Sequence, residues 1–238
     1  MHPANEPRFW VVIPAAGSGR RMGSSERPKQ YRLLAGRTIL EWAVAPFIRR
    51  ATCERIIIAL AGQDRFWQTL SLSEHERIVT VEGGTERADS VRAALAALAA
   101  QARAEDWILV HDAARPCLSD EDLDRLIVKL AADPIGGLLA APLVDTLKRA
   151  DEQGCVVETL PRAGLWRALT PQMFRYDVLR RALALASERG LAVTDECQAV
   201  ELLGLRPRLI SGSAGNLKVT TEADLVQAAC ILAERGER

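Results

Sequence analysis

"PAAGSGRRMG", Pro14 to Gly23, follows the apolar run "FWVVI" of residues 9–13. An apolar run that stops at glycines reads as a buried strand, here Phe9–Gly17, turning into a phosphate-cradling loop. Gly17 and Gly19 permit φ > 0 and let backbone N–H groups approach an anion closely. The spacing is not a Walker loop, because no Gly-Lys-Ser/Thr follows. It also departs from G-x-G-x-x-G. Arg20, Arg21 and Met22 precede Gly23, and the bulky Met22 stands where a dinucleotide fold needs close helix–strand packing. A guanidinium fork beside backbone donors suits a polyphosphate. Lys29 in "RPKQY" adds a cation eight residues beyond Arg21. Pro28 fixes the backbone before it.

Outward from this loop, short β-branched runs alternate with longer helical ones. "TILEWAVAPFIRR" (Thr38–Arg50) puts Ile39, Trp42, Ala43 and Phe47 on one helical face. Strands are expected at "RIIIAL" (Arg55–Leu60), "RIVTVEGG" (Arg77–Gly84) and "DWILVHDAARP" (Asp106–Pro116). Helices are expected at Ser90–Ala102 and at Ser119–Asp133, where Ser119 is the N-cap and three acids fill the first turn. Such strand–helix repetition implies an α/β fold with a mostly parallel sheet flanked by helices. Ligands then bind beyond the carboxyl ends of the strands. That selects the loops "PAAGSGRRMG", "EGGTERADS" and "HDAARP".

From Gly136 to Gln172 the rhythm breaks. "LLAAPLVDTLKRA" and "CVVETL" are extended runs around the turn "DEQG", which reads as a hairpin projecting from the sheet. Neither face is uniformly apolar: Leu143, Asp145, Leu147 and Arg149 alternate with Val144, Thr146 and Lys148. Either a partner covers the hairpin, giving a homodimer, or it folds back on its own domain. Helices return at Tyr176–Gly190 and Thr194–Gly204, the second capped by Thr194. "RPRLISG" and "NLKVT" read as strands, and Thr221 with Asp224 opens a final helix as a capping box. One domain over residues 1–238, with an arm at 141–170, is the economical reading.

The composition excludes other classes. Of 238 residues 48% are hydrophobic, enough for a sizeable core, and 31 basic residues balance 31 acidic ones. Net charge therefore gives no case for a nucleic-acid or membrane partner. The five cysteines are scattered without a C-x-x-C pair. They read as reduced thiols rather than a zinc site or disulfide framework. The N-terminal "MHPANEPR" has no apolar core of a signal peptide, so a cytoplasmic protein is expected.

In "HDAARP", Asp112 can hold a hydroxyl or Mg2+, and Arg115 can hold a second phosphate. An Asp–Arg surface pair is the other reading. His111 reads as a packed strand residue rather than a general base. Gly83 and Gly84 leave backbone free to read a base edge, with Ser90 starting the next helix. Lys218 in "GNLKVT" sits mid-strand, where it either points into the same crevice or is solvated.

"PAAGSGRRMG", "RPKQY", "GGTERADSV", "VHDAARP", "APLVDTLKR", "LWRALTPQ", "TDE" and "NLKVT" occur in this order from about Val11 to Leu225. In this the chain resembles the 2-C-methyl-D-erythritol 4-phosphate cytidylyltransferases of non-mevalonate isoprene biosynthesis. The resemblance implies a Rossmann-like nucleotidyltransferase fold whose β-arm dimerises. It implies attack by the phosphate of methylerythritol phosphate on the α-phosphorus of CTP, with Mg2+, and loss of pyrophosphate. By motif position, Arg21 and Lys29 would stabilise the transition state. Ala15, Ala16, Gly17 and Gly19 would line the CTP site, with Gly84 and Ser90 near the cytosine. Asp112 and Arg115 would face sugar phosphate and metal. Thr146, Arg162 and Thr170 would complete the neighbouring subunit's site, and Lys218 would help place the phosphate. Arg162 and Lys218 count with Arg21 and Lys29 as the catalytic cations. Arg20 receives no role. Thr85 stands where many members carry an acid, and Cys197 where a small residue is usual. The chain stops after its last helix, so a form fused to the later cyclodiphosphate synthase is not expected. Two rival readings are a cytidylyltransferase for another polyol phosphate, such as ribitol 5-phosphate, and a nucleotide-binding module without turnover.

Overall fold

Residues 6–17 and 27–237 are described by the computed structural model. Gly19, Arg20, Arg21, Met22 and Gly23 lie outside the described residues. The strands are β1 (Phe9–Pro14), β2 (Leu33–Leu34), β3 (Arg37–Thr38), β4 (Cys53–Leu60), β5 (Ile78–Glu82), β6 (Trp107–Val110), β7 (Gly136–Pro142), β8 (Leu147–Ala150), β9 (Val156–Leu160), β10 (Trp166–Arg175) and β11 (Arg208–Ser211). The helices are α1 (Ile39–Ile48), α2 (Arg87–Leu98), α3 (Asp120–Leu130), α4 (Tyr176–Glu188), α5 (Glu196–Glu201) and α6 (Glu222–Glu234).

Seven strands form the central sheet in the order β11-β7-β10-β6-β1-β4-β5. All neighbours are parallel except β10, which runs antiparallel to both β6 and β7. Continuous apolar runs suit such a sheet because both faces are covered. On β1, Phe9, Val11 and Ile13 pack toward α1 and α3, meeting Leu40, Val44, Phe47, Leu123 and Ile127. Trp10 and Val12 point the other way, onto Val91 and Leu95 of α2 and Leu179 and Leu183 of α4. This is the two-residue alternation of a strand expressed in a run with no polar member. Truncating Ile57 or Leu109, both buried, to Ala would cost about 2–5 kcal/mol.

Local signals place the helix starts. Thr38 and Glu41 form a reciprocal capping box on α1, Ser119 caps α3, and Thr221 with Asp224 boxes α6. Four expectations need correction. The cap of α5 is Asp195, not Thr194. Helix α2 begins at Arg87, so Ser90 lies inside it. "NLKVT" forms no strand. "LLAAP" belongs to β7, a core strand, and only β8 and β9 form the hairpin. The physical reason for the last is burial on both faces: Gly136 to Ala141 is buried throughout. At Gly137 a Cβ would stand 2.1 Å from the Arg208 carbonyl oxygen, so β11 can approach only a glycine there.

Candidate active site

The chain order reverses at β1, with β4 and β5 to one side and β6 to the other. This is the switch point at which open α/β sheets leave a crevice. A cleft of about 320 Å³ opens there, within the size of small-molecule sites. Its lining includes Ala15, Ala16 and Gly17 after β1, Gly84 to Arg87 after β5, and Asp112 after β6. Lys29, Gln30, Ser90 and Lys218 complete it from other elements. Eight of the site residues expected from the sequence therefore meet in one cleft: Ala15, Ala16, Gly17, Lys29, Gly84, Ser90, Asp112 and Lys218.

Short bonds fix the loop backbones. Ala15 N–H donates to Ala59 O at 2.8 Å, and the buried Gln30 amide donates to Ala15 O at 2.8 Å. That second bond anchors the short turn carrying Lys29 to the start of the glycine loop. Gly84 N–H donates to Ser90 Oγ at 3.2 Å, so Ser90 shapes this loop from inside α2. A Cβ on Gly83 would lie 2.6 Å from Ala16 Cβ and 2.8 Å from Ser90 Oγ. Two loops thus touch across a glycine.

Asp112 is the electrostatic centre. Its buried carboxylate accepts from Arg87 Nε at 3.0 Å on Oδ1 and pairs with Lys218 Nζ at 2.8 Å on Oδ2. Arg115 Nε stands 3.6 Å from Oδ2. Burial alone would raise the carboxyl pKa; Arg87, Lys218 and Arg115 outweigh it and hold the group well below the usual carboxylate range. Arg87 in turn grips Glu196 with both terminal nitrogens, one bond being 3.0 Å, and Glu196 is fully buried. Burial opposes the charge on Arg87, but Glu196 and Asp112 push its pKa above the ordinary value. Among the described residues, no three His, Cys, Asp or Glu side chains group as a metal-binding set.

An adjoining cleft shares Arg87, Asp112 and Lys218 with the first and adds Arg115, Thr170, Gln172 and Asp195. Arg115 has little left to offer a phosphate at its tip: Nη1 donates to Asn216 O at 2.7 Å and Nη2 to Ala168 O at 3.4 Å. Asn216 Nδ2 donates to Thr170 O at 2.7 Å, and Val219 N–H to Ala114 O at 2.8 Å. These bonds lace the Lys218 segment to β10 and to "HDAARP" without strand pairing. Gln172 donates to Asp195 Oδ2 at 3.0 Å and accepts from Cys197 N–H at 2.8 Å, joining "TPQ" to "TDE".

Thr146 and Arg162 do not join the cleft lining. Both are exposed on or beside the arm, where Arg162 donates to Val144 O. Val144, Val156, Val157, Leu165 and Trp166 are exposed there as well. The sequence reading missed Arg87, Glu196, Gln30 and Asn216 as site-builders. Arg87 carried a signal, an arginine three residues past Gly84 at a helix start. The Arg87–Glu196 pair spans 109 residues, which no local pattern reveals.

The family model described as 2-C-methyl-D-erythritol 4-phosphate cytidylyltransferase matches residues 9–234. A protein of that name from Pseudomonas fluorescens (strain Pf0-1) is 53% identical over 220 residues, covering 92% of this chain and 93% of its own. One from Halorhodospira halophila is 53% identical over 228 residues, covering 94% of each. Among solved structures, the Francisella tularensis 2-C-methyl-D-erythritol 4-phosphate cytidylyltransferase superposes with a TM-score of 0.83 at 35% identity, covering 94% of this chain and 100% of that one. A 4-diphosphocytidyl-2C-methyl-D-erythritol synthase also gives 0.83, at 38% identity, covering 95% and 99%. With the switch-point cleft and its nucleotidyltransferase-type α/β sheet, these matches decide the matter: the chain belongs to the 2-C-methyl-D-erythritol 4-phosphate cytidylyltransferase family.

Proposed function

We propose that the two adjoining clefts divide the family's reaction between them, CTP in the larger and 2-C-methyl-D-erythritol 4-phosphate in the smaller. The reaction comes with the family: a cytidylyltransferase joins CMP from CTP to the sugar phosphate, giving 4-diphosphocytidyl-2-C-methyl-D-erythritol. A phosphate oxygen of the acceptor bonds to the α-phosphorus while the bond to pyrophosphate breaks. The observation that carries the division is Asp112 with Lys218 and Arg87, which line both clefts.

The nucleophile is already an anion, so no general base is needed. The chemistry needs positive charge held where negative charge gathers. Lys218 is suited to this: its side chain is 39% exposed and its ammonium pairs with Asp112 through one contact, so it can turn to a phosphate. Arg87 is tied by Glu196 and serves instead to hold Asp112. Lys29 and, by motif, Arg21 flank the triphosphate. Ala16 and Gly17 offer backbone to CTP, Ala15 and Gly84 line it with N–H groups bonded within the protein, and Gly19 is assigned by motif alone. Arg115, Thr170 and Asp112 face the acceptor.

The family also implies Mg2+. Asp112 would offer it at most one ligand: each carboxylate oxygen accepts from a cation but keeps a lone pair, and Lys218 can turn away from Oδ2. The rest of its shell would be triphosphate oxygens and water, the usual company of magnesium in such sites. We further propose one nucleotidyltransferase domain over 1–238, with the arm at 141–170 pairing two copies. The exposed apolar residues of the arm support this. In the pair, Thr146 and Arg162 would complete the partner's site. The five free cysteines support a cytoplasmic setting. No helix among the described residues is long and apolar enough to cross a membrane.

The test is pyrophosphate release with CTP, Mg2+ and a panel of polyol phosphates. Turnover with methylerythritol phosphate is expected, and Lys218→Ala should lower kcat about a hundredfold. Turnover with ribitol 5-phosphate alone, or none with any acceptor despite CTP binding, would overturn the reading.

A further inference from the structure

His111 is fully buried at the end of β6, with the Phe47 ring edge-on to it at 5.3 Å between centroids. Its two ring nitrogens have different partners. Nε2 lies 3.1 Å from Arg115 O. A carbonyl oxygen only accepts, so Nε2 carries a proton. Nδ1 lies 2.9 Å from Thr170 Oγ1. The ring is wholly buried and meets a carbonyl oxygen and a hydroxyl rather than a carboxylate at its two nitrogens, surroundings that suit a neutral imidazole. A neutral imidazole has one N–H, which is spent on Arg115 O. Nδ1 is therefore bare, and the Thr170 hydroxyl donates to it. The same Thr170 oxygen accepts from Asp112 N–H at 3.1 Å. One lone pair is all the hydrogen-bonding capacity Thr170 has left, and Thr170 lines the smaller cleft.

We propose that His111 is a positioning residue that makes the Thr170 hydroxyl a pure acceptor, so that Thr170 receives a donor hydroxyl of the polyol and repels a phosphate oxygen. The carboxylate of Asp112, also acceptor-only, lines the same cleft. Together they mark a hydroxyl-reading corner, and they orient the acceptor with its phosphate turned toward the cations of the larger cleft. This rests on the smaller cleft taking the polyol phosphate. His111 touches no substrate; it acts through Thr170.

Two substitutions separate this role from packing. His111→Asn puts an amide oxygen near the Nδ1 position and keeps an acceptor for the Thr170 hydroxyl. His111→Gln keeps an N–H near the Nε2 position but removes that acceptor, freeing the Thr170 proton. The expected result is a rise of about tenfold in KM for methylerythritol phosphate in His111→Gln, with KM for CTP unchanged and a clearly smaller rise in His111→Asn. Equal rises in both variants, or parallel changes in the two KM values, would overturn the proposal. Nitrogen-15 NMR of the unsubstituted protein decides the proton positions even if both variants fail to fold. A bare Nδ1 and a protonated Nε2 on His111 are expected, and a protonated Nδ1 overturns the proposal. Absence of turnover by the unsubstituted protein with methylerythritol phosphate would instead overturn the substrate assignment beneath it.

Discussion

Replacing Glu196 by alanine tests whether the cleft floor is held from behind. Glu196 is 1% exposed at its side chain and Arg87 is 26% exposed, and the two share a two-bond pairing. Breaking a buried pair by removing one partner costs about 3–5 kcal/mol. Arg87 keeps its bond to Asp112 and some access to water, so the lower end applies, about 3 kcal/mol. At this chain length each kcal/mol moves Tm by about 2–4 °C, so Glu196→Ala should melt about 6–12 °C lower. Burial pushes the pKa of Glu196 up despite Arg87, which makes a neutral amide easier to tolerate. Glu196→Gln should accordingly lose only about 1–2 kcal/mol. Activity adds a second reading. With Arg87 loosened, Asp112 loses one of its anchors, so KM for the sugar phosphate should rise more than KM for CTP. The assay is a thermal melt in parallel with pyrophosphate release. A Glu196→Ala protein melting within about 2 °C of its parent would refute the reasoning.

Three other predictions address the site. Gly83→Ala should raise KM for CTP and cost about 1–3 kcal/mol in urea unfolding, because its methyl would press on Ala16 and Ser90; unchanged values would mean that the loops yield. Asp112 has a folded pKa below its unfolded one, so its stabilisation is full above the ordinary carboxylate range and is lost as pH falls below it. Asp112→Asn should therefore differ most from its parent above about pH 5, with the gap in urea midpoints narrowing progressively as pH falls below the ordinary carboxylate range; a constant gap would contradict the linkage. Mixing Lys218→Ala with Arg162→Ala chains should restore part of the activity if each site borrows Arg162 from a partner. No recovery in mass-verified mixed dimers would count against the shared site.

Much of the fold was legible because its signals are local. Apolar runs, glycine stops and the caps at Ser119 and Thr221 depend on a few adjacent residues. What failed depended on distant ones. "GGLLAAP" looks like the start of the arm because the apolar run continues past it. Only the docking of β11 and β10 on either side makes it a core strand. "NLKVT" has strand-like composition, yet its hydrogen bonds go to Arg115, Thr170 and Ala114 rather than to a ladder. In the cleft, backbone-offering residues were legible from glycine position. The cations divide differently. Sequence can mark Lys218, Arg87 and Arg115 as charged, but only the packed structure separates the tied guanidinium groups from the lysine able to move.

The antiparallel course of β10 has a consequence for how such an enzyme changes over time. On the proposed division, the nucleotide side of the cleft lies mostly between residues 14 and 90, whereas the acceptor side lies on β10 and the segments around Asp195 and Lys218. The two sides meet at Asp112. Substitutions can therefore accumulate in the second half, altering which alcohol phosphate is accepted, while the first half goes on handling the same triphosphate. An inherited half of this kind lets a lineage try new acceptors without first losing its activated donor.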